Sequence, residues 1–131
     1  MRCVAGLLSA VAVLAVDPAV ADEIRHPTFP PVLVGSWAQS ADNCAKGDKS
    51  NFTVAAFGYG GPDGNCAAIV VVETPSPKGT NYSVRALCAA GDRVQPAGHI
   101  VNLIMRPDGA DHVSIGTSFE NLTPYQRCPA K

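Results

Sequence analysis

The residues in this chain with chemistry to offer are three histidines, five cysteines and a scatter of carboxylates. His26, His99 and His112 raise the question of a metal site. A histidine-based zinc site read from sequence needs two imidazoles close together on one face of an element, which H-x-H or H-x-x-x-H spacing provides. Neither spacing occurs, and no dense carboxylate cluster stands beside any histidine. The cysteines are no closer than 22 positions from Cys44 onward, so no C-x-x-C zinc knuckle exists. There is no G-x-S-x-G elbow and no serine or cysteine with a base nearby in the sequence. Asp22, Glu23, Asp42, Asp48, Asp63, Asp92 and Asp108 fall in turns or near the N-terminus, where solvation explains them. Glu73 and Glu120 lie beside extended segments, and neither has a partner at a separation suited to glycoside hydrolysis. The stretch GYGGPDGN, residues 58–65, lacks the Lys-Ser/Thr of a phosphate loop and reads as a flexible turn. These observations predict a chain that is not an enzyme and carries no metal and no cofactor.

The chemistry left to the cysteines is cross-linking. Arg2 is followed by a small apolar run, residues 4–16, and then by Ala19-Val20-Ala21. This predicts a secretory signal peptide over residues 1–21, with Asp17-Pro18 closing a run too short to span a bilayer. Cys3 leaves with it, and Cys44, Cys66, Cys88 and Cys128 remain. An even count in a small exported chain predicts two disulfides in a periplasmic or extracellular protein. Lys and Arg number 10 against 11 Asp and Glu. That near balance gives no electrostatic pull toward nucleic acid. No basic amphipathic segment suggests membrane attachment after leader removal.

The elements that must position these cysteines are short strands. Residues 22–31, DEIRHPTFPP, hold three prolines and predict an extended, exposed arm. A single domain follows over residues 32–131. Its apolar runs at 32–39, 52–58, 67–73, 82–88, 99–105, 111–117 and 122–128 alternate with Gly, Pro, Asn and Asp clusters. Residues 38–47 have room for one helical turn. This pattern predicts an all-β fold, a small antiparallel up-and-down barrel or sandwich of about seven to eight strands.

Two hairpins have a readable register. Pairing Glu73 with Asn81 sets Val72 against Tyr82, Val70 against Val84, Ala68 against Ala86 and Cys66 against Cys88. One face is then apolar and ends in a cysteine pair, which predicts Cys66–Cys88 and, by elimination, Cys44–Cys128. Pairing Met105 with Asp111 sets Leu103 against Val113 and Val101 against Ile115. That register puts His112 opposite Ile104 and roughly 17 Å from His99, too far to share a metal. The triplets at Asn51, Asn81 and Asn121 match the N-x-S/T glycan pattern, which has meaning only in a eukaryotic host.

Gly35-Ser36-Trp37, with Arg127 in Tyr125-Gln126-Arg127-Cys128, resembles the G-x-W and terminal basic residue of the lipocalins and wider calycins. The T-D-Y of the middle lipocalin motif is absent. The resemblance implies barrel closure by Gly35, Trp37 and Arg127, with the indole plugging one end and the guanidinium stacked on it. The whole layout is similar to small exported bacterial proteins of undefined function that run G-S/T-W-A, three cysteines and a terminal Y-x-R-C. It is more loosely similar to small periplasmic metalloprotease inhibitors, whose N-terminal arm enters a protease cleft.

The expected function is non-catalytic binding of a small apolar ligand or a protein partner. The alternative is a periplasmic protease inhibitor acting through residues 22–31 on a secreted protease. Phe29 in the arm, Tyr59 in the glycine-rich stretch and Tyr82 are the aromatic candidates for contact. The small lining residues Ala68, Ala86, Val70 and Val84 favour close packing over a roomy cup.

Overall fold

A computed structural model describes residues 12–13, 22–89 and 98–130. The expected leader lies outside these apart from residues 12 and 13. Period-two alternation of apolar and polar side chains builds strands throughout. They are β1 Ile24–His26, β2 Gly35–Ala38, β3 Phe52–Val54, β4 Gly58–Gly61, β5 Gly64–Ser76, β6 Gly79–Cys88, β7 His99–Pro107, β8 His112–Gly116 and β9 Thr123–Arg127. Each of β2 to β9 pairs antiparallel with the next, and β9 pairs with β2. The result is a closed eight-stranded up-and-down barrel. Closure leaves no unpaired edge strand among the eight, which an open sheet of this size would have.

In β6, Tyr82, Val84, Ala86 and Cys88 face the core while Arg85 and Leu87 face out. Leu33, Trp37, Val71, Val84, Met105 and Val113 are the large residues buried most completely. Both expected disulfides form, Cys66–Cys88 across β5 and β6 as the hairpin register predicts and Cys44–Cys128 between a short helix and the end of β9. That helix, α1 Ala41–Lys46, is longer than the single expected turn. Ser40 Oγ accepts from the Asn43 N–H at its start, and Gly47 closes it with φ of 63°.

Four expectations need correction. The β5–β6 register holds from Cys66–Cys88 to Ala68–Ala86, then shifts by one at a bulge between Ala68 and Val70. Val71, not Val70, therefore opposes Val84, and Glu73, not Val72, opposes Tyr82. The extra residue, Ile69, points to solvent. The β7–β8 hairpin is displaced by four residues, with Met105 opposite Ile115 and Pro107 opposite Val113. An even displacement preserves facing, so Leu103, Met105, Val113 and Ile115 still enter the core. The glycine-rich stretch is no loose turn: it forms β4, a turn at Pro62-Asp63 and the start of β5. Its glycines permit close packing, since a Cβ on Gly61 would press on the Phe52 ring.

The N-terminal arm is the fourth correction. β1 pairs with β5 at residues 71–73, beyond the point where β4 ends. Phe29 is buried, and its N–H donates to Ala56 O at 2.8 Å. A 3₁₀ turn, Pro31–Leu33, then packs on β7 before the chain enters β2. The prolines do keep this segment out of helix, but Ile24–Leu33 is strapped across one barrel end and not held free in solvent.

Loop entropy ranks the two cross-links. Cys44–Cys128 spans 84 residues and Cys66–Cys88 spans 22. Replacing both cysteines of a pair by alanine should cost more for the longer loop, by about 1 kcal/mol. Urea unfolding of the two double variants checks the order, and an equal or reversed cost would contradict it.

Candidate functional site

The strapped end is sealed by one side chain. The Arg127 guanidinium carbon sits 4.2 Å from the centre of the Trp37 ring. Its Nη1 donates to Val34 O at 2.7 Å, Nη2 to Val32 O at 3.1 Å and Nε to Ala110 O at 2.9 Å. The planar fork thus satisfies carbonyls from the 3₁₀ segment and the β7–β8 loop while stacking on the indole. Trp37 is buried, and its Nε1–H donates to Leu33 O at 3.0 Å. Gly35 has φ of 140°, and a Cβ there would overlap Arg127 Nη1. Glycine is required twice over, by conformation and by space. Asp111 lies 3.9 Å from Arg127 Nε but is itself exposed, so that pair adds little.

Within the barrel, strand pairing sets Val54, Tyr59, Cys66, Cys88 and His99 side by side across β3 to β7. Tyr59 is only 4% exposed. Its ring meets Phe29 edge-on at 6.2 Å and Phe52 at 5.9 Å. Its hydroxyl has no hydrogen-bond partner among the described residues, and neither has the buried Nδ1 of His99. Burial, with a smaller contribution from the charge of Asp63, pushes the Tyr59 phenol up to about 12. The group is therefore a neutral hydroxyl at any physiological pH, with a proton to donate and no acceptor for it among the described residues. Buried polar groups are nearly always paired, so two orphans in one row among the described residues stand out.

The other expected contact residues are also inside. Phe29 is buried as part of the strap. Tyr82 is buried nearer the barrel rim, and its O–H donates to Glu73 Oε1 at 3.1 Å. His26 Nε2 lies 3.1 Å from Glu73 Oε2, so this trio fastens β1 to the wall. Burial, then the Glu73 bond, raises the Tyr82 phenol too. Phe29, Tyr59 and Tyr82 are thus all buried and not displayed on the outer surface.

No three His, Cys, Asp or Glu side chains converge as a metal site among the described residues. His112 sits opposite Asp108, just past the end of β7 and nine residues from His99, which puts the two histidines roughly 30 Å apart. A half-open groove of about 990 Å³ lies between α1 and the outer face of β2 and β9, beside Ser36, Thr53, Gln126 and the Cys44–Cys128 bond. In it Asn51 donates Nδ2 to Asn43 O and keeps a buried, unpartnered Oδ1. Sequence reasoning singled out Tyr59 by its aromatic character and weighed His99 only as a metal ligand. The signal that joins them is the register of β4 through β7, which takes three successive pairings to assemble.

Comparison with known protein families, characterised proteins and solved structures finds no match to this chain.

Two measurements test this geometry. Gly35→Ala and Arg127→Lys should each destabilise the protein by about 1–3 kcal/mol, the first through backbone strain and overlap and the second through loss of the fork. Thermal unfolding followed by Trp37 fluorescence reads both, and wild-type midpoints would refute the closure. A phenol held neutral by burial contributes stability below its unfolded value of 10 that is lost as pH rises toward 12. The melting midpoint should therefore fall across that window, less steeply in Tyr59→Phe.

Proposed function

We propose that the protein is an exported, lipocalin-like binding barrel that takes a small, mostly apolar molecule into its interior and performs no catalysis. The observation that carries this reading is the pair of buried polar atoms, Tyr59 Oη and His99 Nδ1, facing inward in one row without partners among the described residues. A ligand site in a barrel is an apolar wall with a few polar groups that fix orientation. The aromatic lining from Phe29, Phe52, Tyr59 and Tyr125 supplies such a wall. The Gly35–Trp37–Arg127 closure supports the resemblance to lipocalins. Two disulfides suit an oxidising compartment outside the cytosol, which supports export. No helix of the described residues is long and apolar enough to cross a membrane.

An inhibitor acting through residues 22–31 would first have to unpair β1 from β5 and withdraw Phe29 from the core. Coupled unfolding of that kind subtracts from affinity, so the barrel interior is the better reading.

N-phenyl-1-naphthylamine, a neutral probe that fluoresces in apolar surroundings, tests the reading directly. Solvent-stripped protein should bind it saturably at one molecule per chain. A fluorescence trace no higher than that of a denatured control would overturn the proposal.

A further inference from the structure

The two disulfides stand in opposite surroundings. Cys66 and Cys88 are 5% and 0% exposed, at inward positions of β5 and β6. Cys44 and Cys128 are each partly exposed, and both line the half-open groove of about 990 Å³ beside α1. A thiolate must reach a disulfide sulfur to attack it, so access sets the rate of exchange. The groove gives that access in the folded protein. Cys66–Cys88 gives none until β5 and β6 open.

The helix that carries Cys44 is lightly held. α1 buries none of its six residues. The bonds from Ser40 and Gly47 that cap it are local to it. Asn51 Nδ2 donates to Asn43 O at 2.8 Å and ties it to the chain entering β3. Ser36, Thr53 and Gln126 face it across the groove, where a packed helix would meet apolar side chains. The Cys128 side is firmly held. Its N–H donates to Ser36 O at 2.7 Å, and the neighbouring Arg127 is stacked on Trp37. Cutting the bond therefore frees the helix while the barrel seam keeps its noncovalent contacts.

We propose that Cys44–Cys128 is a site of thiol–disulfide exchange in the folded protein, open through the groove to an external dithiol, and that its reduction releases α1 from the barrel wall. A thiolate of the dithiol attacks one sulfur of the bond, forms a mixed disulfide and expels the other cysteine as thiolate. The dithiol's second sulfur then attacks the mixed disulfide and displaces the first cysteine. Two electrons pass from the dithiol to the pair. The dithiol leaves as its own disulfide, and its two protons end on Cys44 and Cys128. The step is reversible, because the oxidised dithiol can be attacked in turn. The 84-residue loop bears on the equilibrium of this bond, not on its accessibility. The site lies on the outer wall, independent of what the interior holds.

The test treats the folded protein with dithiothreitol at pH 8, quenches samples with iodoacetamide at intervals and maps the labelled cysteines by mass spectrometry. Cys44 and Cys128 should be labelled at least about a hundredfold sooner than Cys66 and Cys88, which must wait for the core to open. Through that interval Trp37 fluorescence should stay that of the folded protein. Trypsin should then cut after Lys46, within α1, at least about tenfold faster than before reduction, since cleavage needs the helix locally unfolded. The double variant Cys44→Ala, Cys128→Ala should show the faster cut with no reductant. Reduced thioredoxin at equal concentration separates the sources of dithiol. Exchange faster than with dithiothreitol assigns the site to protein dithiols, and slower exchange assigns it to small ones. Labelling of both pairs together, earlier labelling of Cys66 and Cys88, or a Lys46 cut no faster after reduction overturns the proposal.

Discussion

The barrel closes only where β2 meets β9, and the guanidinium of Arg127 reinforces that seam. Closing eight short strands is entropically costly because the two that must meet, β2 and β9, lie at opposite ends of the domain. Their pairing is brief, Trp37 with Arg127 and Ala38 with Gln126. Arg127 reinforces that short seam by stacking on the indole and by donating to three carbonyls from two other segments. The Cys44–Cys128 bond, one residue on, makes the same connection covalently. Gly35 is the vacancy that admits the arginine.

From that closure the division of the interior follows. One end is filled by Trp37, Leu33 and the strap that carries Phe29, all packed and hydrogen-bonded. Across β4 to β7 the packing is as dense, but the polar accounting among the described residues is incomplete at Tyr59 and His99. A barrel stabilised only for its own sake would place phenylalanine and leucine at those two positions. Retaining a buried hydroxyl and a buried imidazole nitrogen without a partner among the described residues costs stability.

What could be read from the residues alone was set by period and parity. The Cys66–Cys88 pairing was legible because alternation runs cleanly from the cysteines to Ala68 and Ala86. Past that point the run Ile69-Val70-Val71-Val72 offers an apolar residue in either register, so nothing in the pattern marks the bulge. The second hairpin was displaced by an even number, to which a period of two is blind, so its core face was legible and its loop was not. β4 escaped notice because three of its four residues are glycine and show no alternation at all. Trp37 and Arg127 announced themselves by type and spacing. His99 did not, since an unpaired Nδ1 is a property of surroundings assembled from four strands.

β5 is 13 residues long and β4 only four, so one flank of β5 outruns its neighbour. Left bare, Val71, Val72 and Glu73 would present unpaired amides and carbonyls in an apolar stretch, a template on which a strand from another molecule could assemble. β1 occupies that flank, and then ends the sheet with three residues, one of them the exposed Arg25. A strand so short and charged is a poor seed for further growth. β1 therefore also caps an edge of the sheet that would otherwise stand open to pairing, a role independent of the barrel interior.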